Sequence, residues 1–289
     1  MSQTATAYTI KDDTLNLTLA ILDISSLHVH EEIVPALLQH LTRSITEDGY
    51  IKDPVIVDEK SLVVLDGVHR IAALKKLGIP RIPACLVDYK NSDIQVSNWY
   101  RTITNASNTE ATMGNLRLPG VTVEITQKSN LGNIGASPNV AAIKSRKTTV
   151  LIKSRFSNIR EAFNIIEKIE NKLRVRGLTI KYETEGDALR NLREGNVDAV
   201  ICTPKLTKQK IVNAALLGTV LSPKTTRHVI PSRPMRINVP ISLLKDDKKP
   251  LSEVNVELRN MLLKKHLRTL PPGTVLDGRR YEEELHVFE

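Results

Sequence analysis

LVVLDGVHRIAALKKLGIPRIPACLVDY, residues 62–89, is the stretch whose reading decides the fold. Leu62–Leu65 is an apolar run that reads as a buried strand, and Asp66-Gly67 breaks it. The helical spacing of Ile71, Leu74 and Leu77 then takes over until Gly78 and Pro80 end it, and Ile82–Val87 reads as the next strand. The corner between strand and helix holds an acid, a glycine, His69 and Arg70. Such a corner presents backbone N–H groups and the positive end of a helix dipole to an anion.

Upstream, residues 15–24 alternate as a strand. His30-Glu31-Glu32 is expected to open a helix whose apolar stripe is Ile33, Leu37, Leu41 and Ile45, stopped at Gly49. Strands are expected at 54–57 and 62–65, and the first domain closes near Trp99–Ile103, giving 1–110 as one unit. The stretch 104–120, rich in Asn, Thr and Ser, reads as a connection. Domain 111–289 follows, with strands at 149–153, 178–182 and 197–203 and helices at 158–174, 187–194, 205–217 and 251–267. Segment 137–147, carrying Lys144, Arg146 and Lys147, reads as a basic loop, and Glu284–Phe288 as a last strand. The fold class is α/β (α+β), in two domains.

Composition narrows the function. With 41% hydrophobic and 25% charged residues the chain is an ordinary globular one, and no apolar run approaches the ~20 residues that cross a bilayer. The N-terminus has neither the basic start nor the apolar centre of a signal peptide, and Cys85 and Cys202 have no disulfide or metal-ligand spacing. A cytoplasmic protein without a membrane partner is therefore expected. Aromatics are only 3%, so the cores must be built from Ile, Leu, Val and Ala. The net charge of +9 divides into −4 over residues 1–110 and +13 over 111–289. A basic half can face nucleic acid or phosphorylated small molecules, or be a solvated surface.

Within Asp66-Gly67-Val68-His69-Arg70, Gly67 permits a tight turn, and His69 and Arg70 add charge-assisted donors to the exposed N–H groups. Asp66 would repel phosphate unless it holds Mg²⁺, directly or through water. The plainer reading is an Asp N-cap with a surface His and Arg.

DGVHRIAALKKLG resembles the phosphate-binding turn of the ParB/sulfiredoxin superfamily. Sulfiredoxins carry a reactive cysteine where Val68 stands, which excludes their chemistry here. The segment SLHVHEEIVPALLQHLTRSITEDGYIKDPVIV is similar to the N-terminal region of free L-serine kinases, a branch of that superfamily making O-phospho-L-serine. The resemblance implies a ParB/sulfiredoxin-like first domain and an active site in a cleft between the domains. It implies Glu31 as catalytic base, with His30 and Ser44 beside the substrate. VSNWYR adds Trp99, the sole tryptophan, and SPKTTRHVIP adds Lys224, Thr225, Thr226, Arg227 and His228. On residue type alone, Glu31 is a dipole-matching acid, Trp99 a core aromatic and 224–228 a polar loop. The resemblance further implies nucleotide phosphates on Asp66, Gly67, Val68, His69 and Arg70, Mg²⁺ at Asp66, and ATP or ADP as donor. The Ser-Pro-Lys-Thr-Thr-Arg-His run resembles the archaeal branch, which includes ADP-dependent enzymes, whereas DGVHR and the tail resemble serine kinases of siderophore synthesis. Glu31 and Asp66 both remain candidate bases. A ParB-like DNA-binding regulator is the alternative, although no helix-turn-helix is legible behind Ile103, and no haem-ligand motif is present. A monomer or homodimer is expected.

Overall fold

The computed structural model describes residues 8–11, 14–106, 116–126 and 134–289. The chain divides into two bodies, each built from separate stretches. The first comprises Met1–Gln95, Lys208–Thr219 and His228–Glu289, and the second Val96–Thr207 and Val220–Arg227. This differs from a single cut near residue 110. Most of that linker, residues 107–115, lies outside the described residues.

In the first body a five-stranded sheet runs β1-β2-β6-β4-β5. Its strands are β1 (Tyr8–Ile10), β2 (Leu17–Asp23), β4 (Val55–Asp58), β5 (Val64–Asp66) and β6 (Arg81–Val87). A short β3 (Tyr50–Ile51) lies outside it and pairs with Val239–Pro240. β4 is parallel to β6, while β2–β6 and β4–β5 are antiparallel. Every residue of β6 is buried, which requires cover on both faces and explains the apolar run Ile82–Val87; Arg81 at its head is paired with Asp23. Leu17, Leu19 and Ile21 of β2 are also fully buried, each side chain stabilising the core by about 1.5–3 kcal/mol.

A later helix, Leu251–Leu263, packs on β2 through buried Val254, Leu258 and Leu262. It also sends in Asn255. Pro83, opposite Ile21 in the ladder, has no N–H to offer; the N–H and C=O of Ile21 bond the Asn255 side-chain amide at 2.7 and 3.2 Å. Glu284–Phe288 forms the centre of a three-stranded sheet between Ser232–Met235 and Leu267–Leu270. The expected helix over 251–267 thus ends early, at Leu263, and Leu267 begins a strand of that sheet.

Helix α1 spans Pro35–Asp48 and α2 spans Val68–Lys76. The expectation that His30-Glu31-Glu32 opens α1 is corrected: Glu31 lies in the extended segment before it. Val34, the N-cap, is held at φ −92°, ψ 115°, because a residue preceding proline is disfavoured in the helical region. Proline at the first helical position then starts the helix. Its end agrees with expectation, since Gly49 adopts a left-handed φ of 74° and donates to the Ile45 carbonyl.

The short β7 (Gln95–Ser97) is followed by the second body's six-stranded sheet, ordered β12-β8-β13-β10-β11-β9. These are β8 (Trp99–Thr104), β9 (Thr122–Thr126), β10 (Asn139–Ser145), β11 (Thr149–Lys153), β12 (Thr179–Thr184) and β13 (Ala199–Cys202). Two corrections follow. β8 belongs to this sheet and does not close the first body, and segment 137–147 is no basic loop, since β10 fills most of it between β11 and β13. Val140, Ala141, Ala142 and Ile143 are completely buried, so these apolar residues outweigh the flanking basic ones. Helix α3 (Ile159–Val175) begins at Asn158, whose side chain accepts from the Glu161 N–H, and buries Phe163, Ile166, Ile169 and Leu173. Helix α4 (Glu185–Glu194) starts in the same way from Thr184.

Candidate active site

The Asp66 corner is a strand end turned by Gly67 into α2. Gly67, not Asp66, is the N-cap, with φ +105°. A β-carbon there would sit 2.6 Å from Val55 Cγ1 and 2.9 Å from two Arg70 nitrogens, so only glycine fits. Arg70 folds back over the turn, donating to the carbonyls of Asp53 (2.9 Å) and Pro54 (2.6 Å) and to Asp66 Oδ2 (3.2 Å). Its fork is engaged inside the turn. A second cation, Arg233, also donates to Asp66 Oδ2 at 2.8 Å and pairs with Glu283 at 2.5 Å. Desolvation pushes the Asp66 carboxyl up, but Arg233 and then Arg70 overcome it and hold the group well below the usual carboxylate range. Both arginines bond the same oxygen and 42% of the side chain is exposed, so Oδ1 can face water or a hydrated cation.

The segment before α1 runs beside this corner. His28 bridges Val63 in parallel, with its N–H donating to Leu62 O (3.0 Å) and its carbonyl accepting from Val64 N–H (2.9 Å). At the other end the Val34 N–H donates to His69 Nε2 at 2.9 Å. Glu31, partly buried, lies between these two ties. His69 is thereby an acceptor at Nε2, a neutral imidazole positioning the segment.

His30 is buried, and desolvation holds its pKa down to about 4 despite a hydrogen bond to the Val64 backbone. Its ring meets that of His228 edge-on at 5.6 Å. His228 Nε2 pairs with Tyr89 Oη at 2.8 Å while the ring also bonds the Leu65 backbone. Desolvation, with neighbouring His30, lowers its pKa to about 3. A neutral ring donating to Leu65 O and accepting from Tyr89 satisfies both partners, and it braces the residue just before Asp66. Ser44 is on α1 as expected, and its hydroxyl donates to Asp48 Oδ2 at 3.0 Å.

In the second body Trp99 and residues 224–227 come together. Trp99 Nε1 donates to Thr226 O at 3.1 Å; Lys224 Nζ lies 4.9 Å, and Arg227 Cζ 5.7 Å, from the indole. Two cations on one ring form a built cationic surface. Thr225 is buried and its hydroxyl donates to Ser222 O at 2.6 Å, which holds the loop's shape. The expected run 224–228 is shared between the bodies, Lys224–Arg227 in the second and His228 in the first.

Sequence reasoning missed Tyr89, Arg101, Glu170 and Arg233. Arg101 and Glu170 carried a signal: an arginine in an apolar strand and an acid on the apolar stripe of α3. Arg233, between Pro231 and Pro234, carried none. Cys85 and Cys202 are buried, and desolvation pushes both thiols up to about 12, as unreactive thiols should be. Among the described residues no group of three His, Cys, Asp or Glu could hold a metal, and no helix is long and apolar enough to cross a membrane.

The sheet of the first body and its glycine corner lie within residues 4–98, which match the ParB N-terminal domain family. An ATP-dependent L-serine kinase of Staphylothermus marinus is 34% identical over 233 residues, covering 78% of this chain and 90% of that protein. An ADP-dependent L-serine kinase of Thermococcus kodakarensis is 27% identical over 236 residues, covering 77% and 91%. A solved free serine kinase in complex with AMP superimposes with a TM-score of 0.67 at 25% identity, over 78% of this chain and 93% of that one. The chain belongs to the L-serine kinase family.

Proposed function

We propose that this protein is a free L-serine kinase, transferring a phosphoryl group from ATP or ADP to the serine hydroxyl to give O-phospho-L-serine. The observation that carries the mechanism is the double tie of the Glu31 segment to the strand and helix flanking Asp66-Gly67. As serine Oγ forms its bond to the terminal phosphorus, its proton passes to Glu31 and the phosphoanhydride bond breaks to release ADP or AMP. Phosphate oxygens are received by the N–H groups of the α2 N-terminus, where Gly67 allows close approach. Asp66 is the carboxylate that would hold Mg²⁺, in keeping with the few protein ligands this ion takes beside phosphates. When bound, Mg²⁺ supplies charge neutralisation of the phosphates. Lys224, Arg227 and the Trp99 face would receive serine, its carboxylate paired with the cations.

The test incubates the protein with L-serine, Mg²⁺ and either ATP or ADP and looks for phosphoserine by mass spectrometry. Product with one donor identifies that donor; none with either ends the reading. Glu31→Gln should slow turnover by about a hundredfold while leaving nucleotide binding nearly unchanged. Full activity in that variant would transfer the role of base to Asp66.

The ParB N-terminal match favours a second reading, DNA binding. Behind β8 the described residues continue as strands β9, β10 and β11. Strongly salt-dependent binding to duplex DNA, without serine turnover, would support that reading instead.

A further inference from the structure

Arg101 is among the largest fully buried side chains, at 2% exposure. It points from β8 to α3, where its Nε bonds Glu170 Oε1 at 2.7 Å. Glu170 is itself buried, and its other oxygen accepts from Tyr182 Oη (2.7 Å) and Arg174 Nη2 (3.1 Å). Arg101 Nη1 donates to two carbonyls, Trp99 O at 2.6 Å and Lys224 O at 3.2 Å. One rigid fork thus joins the backbone bearing the indole to the backbone bearing the ammonium above it. Lys224 needs such a hold, because its φ of +60° is unfavourable for a residue with a side chain. Anchoring continues one turn earlier on α3, where Glu167 accepts from the Ser222 hydroxyl at 3.2 Å.

We infer that Arg101, oriented by Glu170, is a positioning residue that sets the Lys224 ammonium over Trp99 and so determines affinity for serine. The inference rests on the proposed kinase activity for its substrate, but the geometry it asserts can be read without turnover. A lysine cannot replace the fork: one ammonium cannot span Glu170 and both carbonyls in fixed directions.

The test uses the full chain. Arg101→Lys should raise the KM for L-serine about tenfold, with nucleotide KM within twofold of wild type. Removing Arg101 alone would leave Oε1 of the buried Glu170 without its partner, although Arg174 and Tyr182 still hold the other oxygen, so the second variant is Arg101→Met with Glu170→Met, which removes both charges and keeps volume. That variant should melt near the wild-type temperature and show the same selective rise in serine KM. Trp99 is the only tryptophan, so its emission reports this site directly. Acrylamide should quench it at least twofold more strongly in both variants, before any substrate is added. Serine KM and quenching both unchanged in a folded variant would overturn the inference. Absence of serine turnover in the wild type would refute the kinase reading, while quenching alone would then judge the placement of Lys224 and Trp99.

Discussion

Gly67 has two independent reasons to be glycine, a φ of +105° and a β-carbon position already filled by Val55 and Arg70. Strain and overpacking add, so Gly67→Ala should destabilise the protein by about 2–4 kcal/mol, read from the urea midpoint. A change within 0.5 kcal/mol would mean that the corner yields easily. The arginine that fills the space is the one whose nitrogens hold Asp53, Pro54 and Asp66. Asp66, in turn, is clamped from the other side by Arg233, which is tethered by Glu283. Charge and shape at this corner therefore come from residues distant in sequence. Asp66 and Gly67 were legible as a turn. Arg233 was not, because an arginine between prolines has no periodicity to reveal the direction of its side chain.

α2 was legible because its apolar spacing and its Gly78-Pro80 stop agree, and β6 because a continuous apolar run has few alternatives. α1 was legible only at its C-terminus. Its start was misplaced because acids before an apolar stripe satisfy the dipole rule, whereas Pro35 and its effect on Val34 decide the boundary. The difference matters chemically: Glu31 stands on an extended segment tethered to a neighbouring element. His69→Ala removes the acceptor for Val34 N–H and should lower kcat about tenfold with nucleotide KM nearly constant. A large rise in nucleotide KM with kcat intact would instead assign the imidazole to the phosphates. β10 was not legible for the converse reason: Lys144, Arg146 and Lys147 give its end the composition of a loop, while the buried run Val140–Ile143 is too short to dominate the pattern.

Over the whole molecule, the two buried imidazoles make stability depend on acid. An unfolded histidine takes a proton near 6.5, whereas His30 in the fold resists until about 4 and His228 until about 3. Between those values the unfolded chain binds more protons. The stabilisation is complete above 6.5 and is lost as pH falls through 4 and then 3. The groups facing the rings are Tyr89, Lys208 and Asp66, and Asp66 adds its own loss only below the usual carboxylate range. Calorimetry should find a lower Tm at pH 5 than at pH 7, with a flatter dependence in His30→Gln. Equal values at both pH settings would show that the rings are readily protonated in the fold.

The way the bodies share the chain bears on how the protein is made. Met1–Gln95 leaves the ribosome long before Lys208–Thr219 and His228–Glu289, the stretches that complete its body. β2 must wait for Asn255, and the sheet around Glu284–Phe288 cannot assemble until residue 288 has been translated. During synthesis the nascent N-terminal sheet therefore carries uncovered apolar surface, a natural client for chaperones, while most of the second body has already emerged.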